Sequence, residues 1–168
     1  TIRLWCTIAS FSYSPLHGVV GGLADSRNYL FAHAGVQKFA ALAVKDGSPI
    51  GSVTSLLPVR GGPTIMGKDA VVITNLDGNV LTYGARDGAL IWQRAGLTVD
   101  NDVYGAPSPA FSDKHIAIAG YGGDLSRLEA SPGRVVWCDS LAAVSPRTTL
   151  QRLDTMRRRP AEEGGVVV

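Results

Sequence analysis

Short runs of β-branched, aromatic and aliphatic residues alternate along the chain with turn-forming glycine, proline and aspartate. One such run is Val71-Val72-Ile73, which is followed by the pair Asp77-Gly78 and then by Val80-Leu81. Short apolar runs separated by Asp-Gly, Gly-Gly or Pro-Gly turns are typical of antiparallel hairpins. The pattern therefore predicts an all-β chain.

The pattern also repeats. The segment from Asp87 to Trp92 has a counterpart 45 residues later in the segment from Pro132 to Trp137, and in both a glycine stands four residues before the tryptophan. A weaker copy contains Gly47, but Gly51 stands where the tryptophan is expected. Units of four strands that repeat every 40 to 50 residues are the sequence sign of a β-propeller, in which each sheet is one blade.

The repeated residues are expected to have structural roles. A tryptophan near the end of a blade's last strand can dock between neighbouring blades and bury about 150–250 Å². The glycine before it permits the tight turn that enters this strand. The residues assigned to this repeat signature are Trp5, Gly47, Gly88, Trp92, Gly133 and Trp137.

Chain length limits how much of a propeller is present. A closed ring has four to eight blades, whereas 168 residues hold fewer than four periods of 45. The sequence therefore predicts a partial β-propeller over residues 1–168, open unless its two end strands pair. The predicted parts are four-stranded antiparallel blades at about 19–55, 63–95 and 109–140, end strands at about 2–8 and 160–168, and one short helical excursion at about 147–157.

Composition and charge exclude several classes of protein. The chain contains 20 glycines and 9 prolines, which argues against a helical bundle. Its 16 basic and 14 acidic residues are too evenly balanced to require nucleic acid or an anionic membrane as partner. No apolar run reaches the length of about 18 residues that a membrane-spanning helix needs.

No residue pattern indicates catalysis, a cofactor or a metal. The segment that starts at Asp100 begins like a calcium loop, but Phe111 stands where the loop needs a glutamate, so a polar interblade loop is the simpler interpretation. The three histidines stand in no metal-binding motif; they are His17, His33 and His115. Cys6 and Cys138 each follow a repeat tryptophan, which places them in different blades, and we expect them not to pair.

A basic cluster lies near the end of the chain and consists of Arg147, Arg152, Arg157, Arg158 and Arg159. It lacks the interleaved aromatic residues of a nucleic-acid-binding face. Two interpretations stay open: a solvated helix face, or a surface for an acidic protein partner whose binding salt would weaken.

The repeat resembles a known family, the pyrroloquinoline-quinone-type (PQQ-type) propeller proteins. The family signature is matched from Val80 to Trp92 and from Leu125 to Trp137, with a partial third copy from Ala41 to Gly47. Other segments are similar to the α-proteobacterial lipoproteins of the outer-membrane β-barrel assembly machinery; they are residues 58–64, 104–110, 137–142 and 157–160.

This resemblance implies a non-catalytic periplasmic scaffold, associated with the outer membrane through an N-terminal lipid, that binds the periplasmic domains of the barrel-inserting subunit. It implies no cofactor, no nucleic acid and no small-molecule substrate. The lipidated cysteine is not found in this chain, since Cys6 follows Trp5 without a lipobox. The positions that correspond to the family's partner-binding loops are Val103, Tyr104, Arg152, Thr155 and Arg157.

Two alternatives remain, a PQQ-dependent quinoprotein dehydrogenase and a nonfunctional propeller fragment. Quinoprotein dehydrogenases, which share this repeat, typically hold the quinone with a disulfide between adjacent cysteines and with Ca²⁺. The two cysteines of this chain, Cys6 and Cys138, are far apart in sequence. The resemblance to these enzymes therefore extends to the fold alone.

Overall fold

The computed structural model describes residues 22–26, 28–34, 38–54, 59, 61–75, 77–95, 107–120, 124–140, 160, 162–163 and 166–167. In these ranges every regular element is a β-strand. The first blade contains β1 (Leu23–Asp25), β2 (Tyr29–Ala34), β3 (Lys38–Ala43) and β4 (Pro49–Thr54). The second contains β5 (Thr64–Met66), β6 (Ala70–Thr74), β7 (Val80–Gly84) and β8 (Leu90–Arg94). The third contains β9 (Ala110–Ser112), β10 (His115–Ala119), β11 (Asp124–Glu129) and β12 (Val135–Ser140).

Within each blade the strands pair antiparallel with their neighbours in sequence. The blades meet through their first strands, because β5 lies beside both β1 and β9. Two hydrogen bonds join the second and third blades here: the Gly62 N–H donates to Ser108 Oγ over 2.8 Å, and Thr64 Oγ1 donates to the Pro109 carbonyl over 2.5 Å. The first strands are therefore the inner strands of an arc, and β4, β8 and β12 form its outer rim.

The second blade supplies side chains to two cores. Successive side chains of a strand point to opposite faces of its sheet, so Val71 and Ile73 of β6 join one core while Val72 joins the other. The core between the first and second blades contains Phe31, Phe39, Val59, Val71, Ile73, Leu81 and Ala85. The core between the second and third contains Met66, Val72, Val80, Ile116, Ile118 and Leu128. Burial of both sheet faces explains why strands such as β6 (Ala70–Thr74) are mostly apolar.

A β-bulge occurs at the same point in every blade. The pairing between the third and fourth strands shifts register between Ala41 and Leu42 in the first blade, and equivalent shifts follow in the second and third. Each shift leaves one aliphatic residue of the rim strand without a partner; these residues are Ile50, Ile91 and Val136, with exposures of 41%, 54% and 47%. Because the bulge falls at the same point of each blade, it identifies equivalent residues without use of the sequence repeat. The residues next to it on the rim strands are Gly51, Trp92 and Trp137.

The fold class predicted from the sequence is confirmed: the chain forms three four-stranded antiparallel blades of a partial β-propeller. The predicted end strand at about 2–8 and the helical excursion at about 147–157 lie outside the described residues. Near residues 160–168, where the sequence predicts one strand, the structure has two: β13 (Glu162–Glu163) pairs antiparallel with β14 (Val166–Val167), and β13 lies beside β9. In the described part of the chain, no helix has the length and apolar character needed to cross a membrane.

Candidate functional site at the blade interfaces

The turn before each rim strand has the same geometry in the three blades. Gly47, Gly88 and Gly133 have φ angles of 74°, 66° and 82°. The N–H of each donates to the carbonyl oxygen four residues earlier, over 2.8, 3.0 and 3.1 Å respectively. A positive φ is unfavourable for residues that carry a Cβ. These glycines therefore set the position of the rim strand that follows.

An aspartate completes this turn in the first two blades. Asp46 Oδ1 accepts hydrogen bonds from the Ser48 N–H over 3.0 Å and from Ser48 Oγ over 2.7 Å, and Asp87 Oδ1 accepts one from the Ala89 N–H over 3.0 Å. The hydrogen bonds from Ser48 lower the pKa of Asp46 because they stabilise the carboxylate. The third blade has Pro132 at the aspartate position.

In the third blade an ion pair replaces the aspartate turn. Arg134 Nη2 donates to Glu129 Oε1 over 2.6 Å. This hydrogen bond, together with the charge of Glu129, raises the pKa of Arg134. The pair spans the same turn that the aspartates close in the other two blades.

Trp92 joins the second blade to the third. Its Nε1 donates a hydrogen bond to the Ala130 carbonyl oxygen over 2.9 Å. The ring lies against the Gly133 backbone so closely that a Cβ on Gly133 would stand 2.6 Å from Cε3 and from Cζ3 of the indole. The ring also packs against the core between these blades. One half-buried side chain thus provides both apolar contact and a directional bond across the interface.

The interface between the first and second blades has no such ring. Gly51 occupies the tryptophan position of β4, and a Cβ on Gly51 would meet no atom within 4 Å. Val53, two residues later on the same strand, instead covers the turn glycine of the next blade, Gly88. A cleft remains between the two blades, with an empty volume of about 470 Å³ that includes its part open to solvent.

The walls of this cleft are mostly apolar. They are formed by Phe31 and Phe39 from the first blade and by Val71, Ile73, Tyr83 and Ala85 from the second, with Gly51, Val53 and Gly88 at the rim-strand side. Burial raises the pKa of the Tyr83 phenol, because desolvation disfavours its ionised form. Arg86 and Asp87 also line the cleft, which therefore combines apolar walls with a phenol and two charged side chains.

The histidines and the cysteine in the described ranges have structural neighbours. His33 is buried and stacks on Phe39, with ring centroids 4.7 Å apart and planes 18° apart. Arg127 Nη2 lies 3.1 Å from His115 Nδ1. Cys138 is a free, exposed thiol whose Sγ accepts a hydrogen bond from Ser126 Oγ over 3.2 Å. Nowhere in the described ranges do three or more His, Cys, Asp or Glu side chains form a group that could hold a metal ion.

The partner-binding residues suggested by the sequence are outside the described part of the chain. They are Val103, Tyr104, Arg152, Thr155 and Arg157, and Trp5 of the repeat signature lies outside it as well. The cleft at Gly51 was not identified from the sequence. The sequence does contain a sign of the cleft, because Gly51 replaces the tryptophan of the repeat. The sequence alone does not show whether other side chains fill the space of the missing ring.

Three antiparallel four-stranded sheets, with their first strands together and indole docking between two of them, define an arc of a β-propeller built from PQQ-type repeats. The family model described as outer membrane protein assembly factor BamB matches residues 3–168. The chain belongs to this family.

Solved structures agree on the fold. BamB from Moraxella catarrhalis aligns with a TM-score of 0.77 and 21% identity over 90% of this chain and 46% of that chain. Quinohemoprotein alcohol dehydrogenase from Comamonas testosteroni aligns with a TM-score of 0.61 and 17% identity over 73% of this chain and 21% of that one. The computationally designed Ika4 protein aligns with a TM-score of 0.68 and 14% identity, over 95% and 88% of the two chains. This chain therefore spans less than half the length of the Moraxella BamB structure. A search of curated proteins finds no match.

Proposed function

We propose that this protein is a non-catalytic binding scaffold in the assembly of outer-membrane proteins. The observation that carries the proposal is the match of the BamB family to nearly the whole chain, residues 3–168. The architecture is consistent with a scaffold, because the repeat tryptophan Trp92 has a structural role: it contacts Gly133 and donates a hydrogen bond to Ala130 of the next blade. Connecting loops on a scaffold of packed sheets are common places for binding residues.

The proposed partner is the set of periplasmic domains of the barrel-inserting subunit, and the proposed location is the periplasm at the outer membrane. Both come from the family resemblance. The proposed contacts are the segment around Val103 and Tyr104 and the basic segment that contains Arg152, Thr155 and Arg157. The arginines suit an acidic partner surface, which would accelerate association and make it sensitive to salt.

Co-purification with the isolated periplasmic domains of the barrel-inserting subunit tests this proposal. The full-length protein should bind, and the double variant Arg152→Glu with Arg157→Glu should bind about tenfold or more weakly, since close charge pairs at interfaces couple by about 1.5 kcal/mol or more. The matched control is Arg94→Glu, an exposed arginine on rim strand β8. Absence of binding by the full-length protein would contradict the proposal. Equal binding by all variants would show that Arg152 and Arg157 do not contribute to the interface.

A second candidate function, that of a quinoprotein dehydrogenase, is favoured by the structural likeness to the Comamonas alcohol dehydrogenase. The described residues offer no cluster of His, Cys, Asp or Glu for the Ca²⁺ that accompanies the quinone in such enzymes. Titration with pyrroloquinoline quinone and Ca²⁺ separates the two functions, because a ligand that binds the native state raises the melting temperature. A saturable rise would favour the enzyme, and an unchanged melting temperature favours the scaffold.

A further inference from the structure

We propose that the junction between the first and second blades is a hinge, about which the first blade tilts as a unit relative to the second and third. This inference does not depend on the proposed scaffold function. It follows from three side-chain hydrogen bonds that cross the junction between the second and third blades. The same bonds cannot form at the junction between the first and second blades, because the residues that would make them are glycine or alanine.

The equivalent residues of the blades follow from strand pairing. One row of cross-strand partners runs through each blade, from the inner strand to the residue beside the rim bulge. In the second blade the row is Thr64, Val72, Thr82 and Trp92. In the first blade the row is Ala24, Phe31, Ala41 and Gly51. Ala24 is therefore equivalent to Thr64, and Gly51 is equivalent to Trp92.

Two of the three bonds lie at the inner strands. Between the second and third blades, the Gly62 N–H donates to Ser108 Oγ over 2.8 Å, and Thr64 Oγ1 donates to the Pro109 carbonyl over 2.5 Å. In the preceding junction the counterpart of Ser108 is Gly62, which has no hydroxyl to accept a bond. The counterpart of Thr64 is Ala24, which has no hydroxyl to donate one. The inner ends of the first two blades therefore meet without either of these bonds.

The third bond lies at the rim. Trp92 Nε1 donates to the Ala130 carbonyl over 2.9 Å and so ties the second blade to the third. Gly51 has no ring that could make the equivalent bond, and Val53 covers Gly88 only with a methyl group. The rim of the first junction therefore lacks a directional side-chain contact of this kind.

The apolar core that remains at the first junction does not fix an angle. Phe31 and Phe39 of the first blade pack with Val71 and Ile73 of the second. Apolar contact is non-directional, whereas a hydrogen bond weakens steeply when its angle changes. The core therefore keeps the two blades together and resists a small tilt between them less than three hydrogen bonds would.

The pivot of the hinge is the contact between Gly22 and Gly62. A Cβ on Gly22 would lie 3.2 Å from Gly62 Cα, and a Cβ on Gly62 would lie 3.0 Å from Gly22 Cα. The two backbones thus touch, and because glycine has no side chain, neither residue interlocks with the other blade through one. Close contact at the inner strands and an open cleft at the rim together give a hinge that opens at the rim.

Distances between spin labels on the rim strands test the hinge. Ser52, Gln93 and Cys138 are exposed and occupy equivalent positions, one residue after the end of each row. Labels at Ser52→Cys and Gln93→Cys span the first junction, and labels at Gln93→Cys and the native Cys138 span the second. Cys6→Ser in both proteins, and Cys138→Ser in the first, remove the other thiols.

Double electron–electron resonance on the full chain measures the two distance distributions. We expect the distribution across the first junction to be about twice as wide as that across the second, because the first junction samples a range of tilt angles. Equal widths, or a wider distribution across the second junction, would overturn the proposal.

A variant that restores two of the bonds tests their role. Ala24→Thr supplies the hydroxyl, Gly51→Trp supplies the ring, and Val53→Ala makes room for the ring over Gly88. The new side chain at Gly51 is sterically open at its base, since a Cβ there meets no atom within 4 Å. The distribution across the first junction should narrow to the width of the second. The matched control, Ile50→Trp with Val53→Ala, adds an exposed indole to the same strand and should not narrow it.

The opposite change at the second junction completes the test. Thr64→Ala with Trp92→Gly removes two bonds and should widen the distribution across that junction to the width of the first, and Thr64→Ala alone should widen it less. A folded restored variant that leaves the first junction as wide as before would overturn the proposal. If the restored variant or the double variant fails to fold, Thr64→Ala alone decides, and an unchanged width across the second junction would contradict the role of these bonds.

Discussion

The first and second blades meet across Gly51 and Val53, whereas the second and third meet across Trp92. Both contacts cover a turn glycine with positive φ, at Gly88 and Gly133 respectively. The tryptophan covers its glycine with a ring and also donates a hydrogen bond to Ala130, whereas the valine supplies only a methyl group. The comparison shows that the turn and the ladder of backbone hydrogen bonds keep the blade geometry, while the docking side chain can change and leave space behind.

The largest expected effect is the loss of the docked indole. Trp92→Ala should lower the free energy of unfolding by about 2–4 kcal/mol, somewhat less than for a fully buried tryptophan because the ring is half-buried. Val53→Ala, the matched change at the other interface, should cost about 1 kcal/mol. Urea unfolding measures both values. Equal losses would show that the two interfaces depend on their side chains to the same extent.

A smaller effect is expected at the turn glycines. Gly133→Ala should cost about 2–3 kcal/mol, because it strains a residue at positive φ and places a Cβ 2.6 Å from the Trp92 ring. Gly88→Ala should cost about as much, roughly 2–3 kcal/mol, since it strains a residue at positive φ and its Cβ would meet Cγ2 of Val53, a β-branched side chain with few alternative rotamers. In the Trp92→Ala background the cost of Gly133→Ala should fall by about 1 kcal/mol, and a double-mutant cycle measures this coupling. A cycle without coupling would contradict the contact.

The smallest effect concerns alkaline pH. Burial raises the pKa of Tyr83 above its ordinary value of 10.0, so the folded protein holds the phenol proton more tightly than the unfolded chain. The resulting stability is fully present below pH 10 and is lost as the pH rises through the folded pKa. Tyr83→Phe should flatten the decline of the melting temperature above pH 10. An unchanged decline would show that other groups control it.

The sequence predicted the blades where the repeat is strong and missed what depends on contacts between blades. The spacing of Gly88 to Trp92 and of Gly133 to Trp137 was sufficient to align two blades. The first blade was also found, although Gly51 breaks the signature, because strand and turn patterns are local properties of the chain. The cleft could not be predicted, since it depends on which atoms of the second blade face Gly51 and on the way Val53 replaces only part of the ring.

Near the end of the chain, too, the sequence pattern was not sufficient to predict the strands. The sequence predicted one strand at about 160–168, but Glu162–Glu163 and Val166–Val167 pair with each other. Two-residue strands carry too few side chains for an alternating pattern to be recognised. The helical excursion predicted at 147–157 and the partner-binding residues, among them Tyr104 and Arg157, remain predictions.

The bulge shared by β4, β8 and β12 affects the edges at which two copies of the chain could pair. Each of these rim strands is the last in its sheet, so it has one side on which its backbone groups could pair with a strand from another molecule. Exposed aliphatic side chains at Ile50, Ile91 and Val136 would strengthen such a pairing. A bulge bends and twists its strand, so the edge is no longer straight. Because the bulge recurs in all three blades, each rim strand is a poorer template for pairing with a strand of another molecule.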